Sequence, residues 1–154
     1  MPNLAIVDIE RLERSLALLG RRAGPLHAIL AERAGTSLDR VACLVLKAVA
    51  ANGSVRVTDL ARELGVEVPT MSRHVANLTQ TGYLLKTPDL VDGRVSWVEL
   101  TDRGRDTIER LESERRSVLS NVFSNWTPTD RDAFVDLLDR FSSDLARHAE
   151  QTSA

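Results

Sequence analysis

The sequence is poor in the residues and patterns that most function classes require. One cysteine, Cys43, occurs among 154 residues. It cannot form an intramolecular disulfide, and it fits a reducing compartment. The longest apolar run, Val41 to Leu46, is far too short to cross a bilayer. Met1 to Arg11 is acidic and amphipathic and lacks the basic start and apolar stretch of a secretion signal. A cytoplasmic protein with no membrane partner is expected. The histidines His27, His74 and His148 lie far apart, and no Cys/His pair has metal-site spacing. A Gly-rich phosphate loop and a Gly-x-Ser-x-Gly elbow are also missing. Neither a catalytic site nor a metal or cofactor is expected.

An excess of positive charge is absent too. Twenty Lys and Arg against 22 Asp and Glu give a net charge of −2, whereas nucleic-acid binders are often basic overall. This argues for modest long-range attraction to polyanions, although net charge does not say where the charges sit. What remains is ordinary for a soluble domain: 43% hydrophobic and 27% charged residues. That is enough apolar material for a core without a metal or disulfide staple.

Periodicity then orders the chain. Ile9, Leu12, Leu16 and Leu19 recur at spacings of three and four, which predicts an amphipathic helix from about Ala5. Gly20, Gly24 and Pro25 interrupt it. A short helix from Leu26 to Ala34 stops at Gly35, and Thr36 or Ser37 is expected to cap a largely apolar helix from Leu38 to Ala50. After Asn52-Gly53 and a short extended stretch, Thr58 is expected to cap a brief helix, Asp59 to Leu64. Gly65 allows a turn, and Pro69 opens a second helix that runs to about Thr81. Two strands follow, Tyr83 to Thr87 and Arg94 to Leu100, joined by a polar tip in which Asp92-Gly93 favours a tight reversal. A long helix from Thr101 to Trp126 and a last helix started by Thr127-Pro128-Thr129-Asp130 complete the chain.

Two short helices joined at Gly65 and followed at once by a hairpin form a winged helix-turn-helix pattern. The class is therefore mainly α, with a small β-hairpin wing and a winged helix-turn-helix head on a helical dimerisation frame. In the second short helix Met71, Val75 and Leu78 make the inward stripe. The outward side carries Pro69, Arg73, Ala76 and Gln80, flanked by Thr70, Ser72 and Asn77. Arg73 is suited to a two-bond contact with guanine, and Asn77 or Gln80 to adenine. Thr70 and Ser72 suit phosphates. The same stripe also fits a plain solvated helix face. The hairpin adds Arg94 beside Asp92 at the wing tip, a pair suited to a narrow minor groove or to an ordinary surface ion pair.

The run Gly82-Tyr83-Leu84-Leu85-Lys86, then Asp89, Asp92-Gly93-Arg94, Leu100-Thr101 and Gly104, resembles the wing signature of the multiple-antibiotic-resistance-regulator (MarR) family. Thr58-Asp59-Leu60-Ala61 and Thr70-Met71-Ser72-Arg73 resemble that family's two reading helices, and length and helix order agree. The resemblance implies a homodimeric regulator of a pseudo-palindromic operator in double-stranded DNA, usually a repressor released by a small molecule. It makes Arg94 the minor-groove wing arginine and Asp92 its brace, and places Arg73, Ser72 and Thr70 on the recognition helix. Three positions depart from the pattern. Val68 falls where a polar cap is preferred, Lys86 stands where arginine is usual, and Pro25 breaks a first helix that is commonly continuous. Lys86 keeps a phosphate contact, and Arg62 joins Arg73, Arg94 and Lys86 as a cation expected on the DNA-facing side.

Residues 1–36 and 105–150 are assigned to the dimerisation frame, 37–104 to the DNA-binding head and 151–154 to a tail. The apolar stripes of the first and last helices suit a dimer interface, or alternatively packing on each other within one chain. An effector pocket is expected where the first helices, the Leu38–Ala50 helix and the long helix meet. His27 is a candidate lining residue, or simply a capped or solvated histidine. Trp97, on the strand face opposite Val98, either covers the head or borders a pocket. Cys43, amid apolar neighbours, is expected to be inert. The competing function is a winged-helix module for protein contacts without specific DNA binding.

Overall fold

The alternation of apolar and polar residues decides which surfaces close, and the helix starts depend on local hydrogen bonds. The computed structural model describes residues 6–89, 92 and 95–152. Its elements in order are α1 (Ile6–Ala23), α2 (Leu26–Arg33), α3 (Arg40–Asn52), β1 (Val55–Arg56), α4 (Val57–Glu63), α5 (Val68–Gln80), β2 (Leu84–Pro88), β3 (Ser96–Leu100), α6 (Asp102–Val122) and α7 (Pro128–Thr152). The chain divides into two compact units, Met1–Arg115 and Arg116–Ala154.

In the first unit the break at Gly24-Pro25 separates α1 from α2 as the sequence predicts. The cap of α3 differs from expectation. Asp39, rather than Thr36 or Ser37, accepts the Ala42 N–H at 2.7 Å. Thr36 instead accepts the Leu38 N–H within the preceding turn. Asp39 stands directly before the first helical residue, and its negative charge suits the helix N-terminus. Thr58 is likewise not a cap: Arg56 holds that position for α4 and makes no side-chain cap bond.

Val45, Leu46, Val49, Leu60, Met71, Val75, Leu78, Leu84 and Val98 are each almost wholly buried. They join α3, α4, α5 and the sheet in one aliphatic core, which also takes in Ile108 and Leu111 of α6. Truncating any of the larger ones to alanine costs about 2–5 kcal/mol by lost transfer and cavity formation. The extended stretch before α4 does more than link helices. As β1 it pairs with β3, giving an antiparallel sheet of order β1-β3-β2 with Val55 opposite Val98 and Leu84 opposite Leu100. Val55, Val98, Leu84 and Leu100 are all buried, the one-faced burial expected of a pleated sheet on a helical layer.

One junction locks this layer to α6. The Thr101 hydroxyl donates to the Gly82 carbonyl (2.7 Å) and accepts the Gly104 N–H (3.1 Å), so one side chain caps α6 and holds the start of the wing. Arg103 lays its guanidinium over the Tyr83 ring at 4.4 Å and donates to the Thr81 carbonyl and the Tyr83 hydroxyl. Gly104 is buried against Tyr83, and a Cβ there would collide with the Tyr83 carbonyl oxygen and press on Leu100. Only glycine permits that approach.

In the second unit Thr127 caps α7, accepting the Asp130 N–H (3.1 Å) and donating to its carboxylate (2.6 Å). Helix α6 ends at Val122, short of the expected Trp126. The intervening residues form a turn, closed by a cluster of Phe123, Trp126 and Phe134 with ring centroids 4.9 to 5.7 Å apart. Edge-on and tilted contacts among these rings favour a turn over a longer helix.

Replacing Gly104 with alanine should lower stability by about 1–3 kcal/mol through overpacking against backbone. A thermal melt tests this, and an unchanged midpoint would show that the junction can give way.

Candidate nucleic-acid interface

The turn between α4 and α5 is built by Gly65, whose φ of +63° side chains other than glycine rarely adopt. Gly65 N–H donates to the Arg62 carbonyl and Val66 N–H to the Ala61 carbonyl, closing the end of α4. Helix α5 begins at Val68, with Glu67 at the cap position and Pro69 in its first turn. The expected cap, Val68, is thus already helical, and no side chain caps this start.

On α5, Met71, Val75 and Leu78 are buried at 0–1% exposure. Arg73, Asn77 and Gln80 are exposed, and Thr70 and Ser72 are half-buried on the two opposite edges of that face. Arg73 takes part in no ion pair among the described residues. Arg62, on α4, lies 3.2 Å from Asp59, but its side chain stays 80% exposed. Such a pair is weak and leaves the guanidinium available to other anions.

The wing carries the other predicted residues. Lys86 is exposed on β2 opposite Val98, and has no ion pair among the described residues. Together with Ser72 of α5, Thr58 of α4 and Ser96 of β3 it lines a small groove of about 170 Å³. Asp92 is exposed beyond the strands. Arg94, and the Gly93 of the predicted reversal, lie outside the described residues. Strand β3 begins at Ser96, and Pro88, expected in the tip, pairs with Ser96 at the end of β2.

Sequence reasoning set Trp97 apart and quoted Asp89 within the wing signature, but it linked neither to the other and passed over Arg56. Trp97 is half-buried, and its indole N–H donates to the Asp89 carboxylate at 2.8 Å. Arg56, opposite Trp97 in the register, covers the ring at 4.9 Å. The only signals in the sequence were that signature and the alternation that set Trp97 apart from Val98. The pairing of β1 with β3 supplies the rest.

A second feature lies in the same unit. Helices α1, α2, α3 and α6 surround a hollow of about 460 Å³ lined by Leu26, His27, Leu30, Leu44, Ile108 and Leu111, among others. His27 is half-buried there, donating from Nε2 to the Leu38 carbonyl at 3.1 Å. Arg40, Arg115 and Lys47 add positive charge to its wall, Lys47 lying 3.7 Å from Glu112. Cys43 also borders it, and burial, with Asp39 adding and Arg115 opposing, pushes its thiol above the usual range.

Among the described residues no group of three His, Cys, Asp or Glu could hold a metal ion, and no helix is long and apolar enough to cross a membrane. Two helices joined at a tight glycine turn, an exposed polar second helix and a paired hairpin define a winged helix-turn-helix protein. Residues 36–95 match the model of the MarR family. The chain is similar to YxaD, an HTH-type transcriptional regulator of Bacillus subtilis, at 26% identity over 134 residues, covering 87% of this chain and 92% of the relative. In structure it is similar to Streptococcus pneumoniae FabT in complex with DNA, with a TM-score of 0.79 at 16% identity, covering 91% of this chain and 99% of the other. It is also similar to the Streptomyces coelicolor regulator PcaV in complex with its natural ligand, with a TM-score of 0.62 at 25% identity, covering 81% and 89%.

Because the thiolate is the reactive form, Cys43 should alkylate slowly in the folded protein. At pH 8, iodoacetamide should modify the native protein at least about tenfold more slowly than the urea-unfolded chain. Equal rates would contradict the burial and raised thiol described above.

Proposed function

We propose that the chain is a sequence-specific transcriptional repressor that binds a pseudo-palindromic operator in duplex DNA as a homodimer and is released by a small-molecule effector. The observation that carries this reading is the outward face of α5, where Arg73, Asn77 and Gln80 are exposed on a helix anchored by three fully buried residues. A rigid helix with such a face can reach base edges in the major groove. Arg73 reads guanine with its two-pronged guanidinium, and Asn77 and Gln80 read adenine. Thr70, Ser72, Arg62 and Lys86 hold phosphates. Arg94, braced by Asp92, enters the minor groove. The DNA complex of FabT supports this reading by likeness of fold.

Residues 37–104 act as the head, and 1–36 with 105–150 as the frame, with 151–154 a tail. In the first unit α1 exposes Ile9, Leu12, Leu16 and Leu19; in the second, α7 exposes Phe134, Leu137, Leu138 and Leu145. Apolar stripes of this size are what a helical dimer interface covers, and a twofold dimer spaces two heads along the duplex. The hollow beside His27 is the effector site, a role supported by the ligand complex of PcaV. A cytoplasmic location accords with these partners. The near-neutral charge favours the competing reading, a protein-contact module.

Selection of bound sequences from a random duplex pool, using the full chain, tests the proposal. An inverted repeat with half-sites about 10 base pairs apart is expected. Arg73→Ala and Arg94→Ala should each weaken binding to it about tenfold or more while leaving the dimer intact. No enriched sequence, or wild-type affinity in both variants, would sink the DNA reading in favour of protein contacts. Light scattering at micromolar concentration should give twice the chain mass, and a single-chain mass would remove the symmetric-operator argument.

A further inference from the structure

At the wing root one backbone bond continues the ladder of β2 and β3 past its last pair, and a second joins two residues of the tip. Asp89 N–H donates to the Val95 carbonyl and Val95 N–H to the Asp92 carbonyl, both at 2.9 Å. The Asp89 side chain adds two more. One carboxylate oxygen accepts the Trp97 indole N–H at 2.8 Å, and the other accepts the Asp92 backbone N–H at 3.1 Å. Trp97 is itself held from β1, since its cross-strand partner Arg56 covers the ring at 4.9 Å. A continuous set of contacts therefore runs from β1, through the indole and one carboxylate, to the backbone of Asp92.

We propose that Asp89 is a positioning residue for DNA binding, fixing the wing segment that leads into Arg94 by tying the Asp92 backbone to Trp97. This rests on the proposed DNA reading and adds to it two residues, Asp89 and Trp97, that touch no DNA. Asp92 stands two residues before Arg94, so whatever fixes its backbone sets where that arginine's segment begins. Only a group with two acceptor oxygens can serve both donors. Asparagine, of the same shape, has one acceptor and turns an N–H toward a donor. Asp89, Asp92, Trp97 and Arg56 all lie outside the buried core, so the network can be broken without opening it.

The test uses the full chain, the duplex recovered by selection and an unrelated duplex of equal length. Asp89→Asn and Trp97→Phe should each weaken binding to the selected duplex about tenfold, the usual size for a lost hydrogen bond to a charged group. Because each breaks the same tie from Trp97 to the Asp92 backbone, the double variant should lose little more than either single one. Binding to the unrelated duplex and its salt dependence should stay as in the wild type, because phosphate contacts are untouched. In an Arg94→Ala background, Asp89→Asn should cost nothing further. A merely structural role would still add its own loss there, and an additive loss would overturn the proposal. Wild-type affinity in both single variants would overturn it too, while leaving the DNA reading standing. If the wild type binds no duplex, the DNA reading fails and this role fails with it. Should Asp89→Asn fold poorly, Trp97→Phe keeps the ring and carries the test alone.

Discussion

The rest of this molecule depends on the close approach of the start of α6 to the entry of the wing. Gly104 sits against the Tyr83 carbonyl with no room for a Cβ, and the Thr101 hydroxyl bonds both to Gly82 and to the Gly104 amide. Gly82 and Tyr83 follow directly on α5, so the end of the reading helix, the first strand and the start of α6 are held at one point. The aliphatic core could accommodate small sliding of these elements, since dispersion contacts are non-directional. The junction supplies the directional constraint. It explains why a Leu-Thr-x-x-Gly run marks the strand exit: each of its three fixed residues has a separate physical task, core burial, capping and close approach.

The near balance of charge is resolved by where the cations are used. Arg103 is engaged by Tyr83 and Thr81 at the wing entry, and Arg105 lies in a loose, exposed pair 3.7 Å from Asp102. Arg62 pairs only loosely with Asp59, while Arg73 and Lys86 carry no ion pair among the described residues. A protein with no net positive charge can thus still offer cations beside a recognition helix. The consequence is weak long-range steering, screened within about 8 Å at physiological salt, and reliance on short-range geometry. The hydrogen-bonded wing root fits that economy, because fixed geometry can offset weak attraction.

The first unit also holds its hollow close to the reading elements. Helix α3 contributes Leu46 and Val49 to the core and Cys43, Leu44 and Lys47 to the hollow's wall. Although largely apolar, it is not buried all round. Leu44, on the wall of the hollow, remains exposed, and so does Val41. An occupant of that hollow would bear on the helix that underlies the reading head.

Much of this was legible in the sequence. Spacing alone determined the helices, the inward stripe of Met71, Val75 and Leu78, the break at Pro25 and the hairpin, because periodicity reports which side of an element must leave water. Glycine and threonine at the wing exit were readable for the same reason, as residue types few other tasks require. The caps were not: Thr36, Ser37 and Asp39 all stand near one helix start, and only the path of the backbone chose Asp39. Nor was the third strand, since two residues carry no period and β1 exists only because β3 lies beside it. The wing root belongs to the same class. Asp89, Trp97 and Arg56 are separated along the chain by distances that no local pattern spans, and register brought them together. The sequence by itself determined which faces are apolar. Tertiary structure decided which polar side chains meet, because hydrogen bonds depend on distance and angle whereas an apolar face depends only on period.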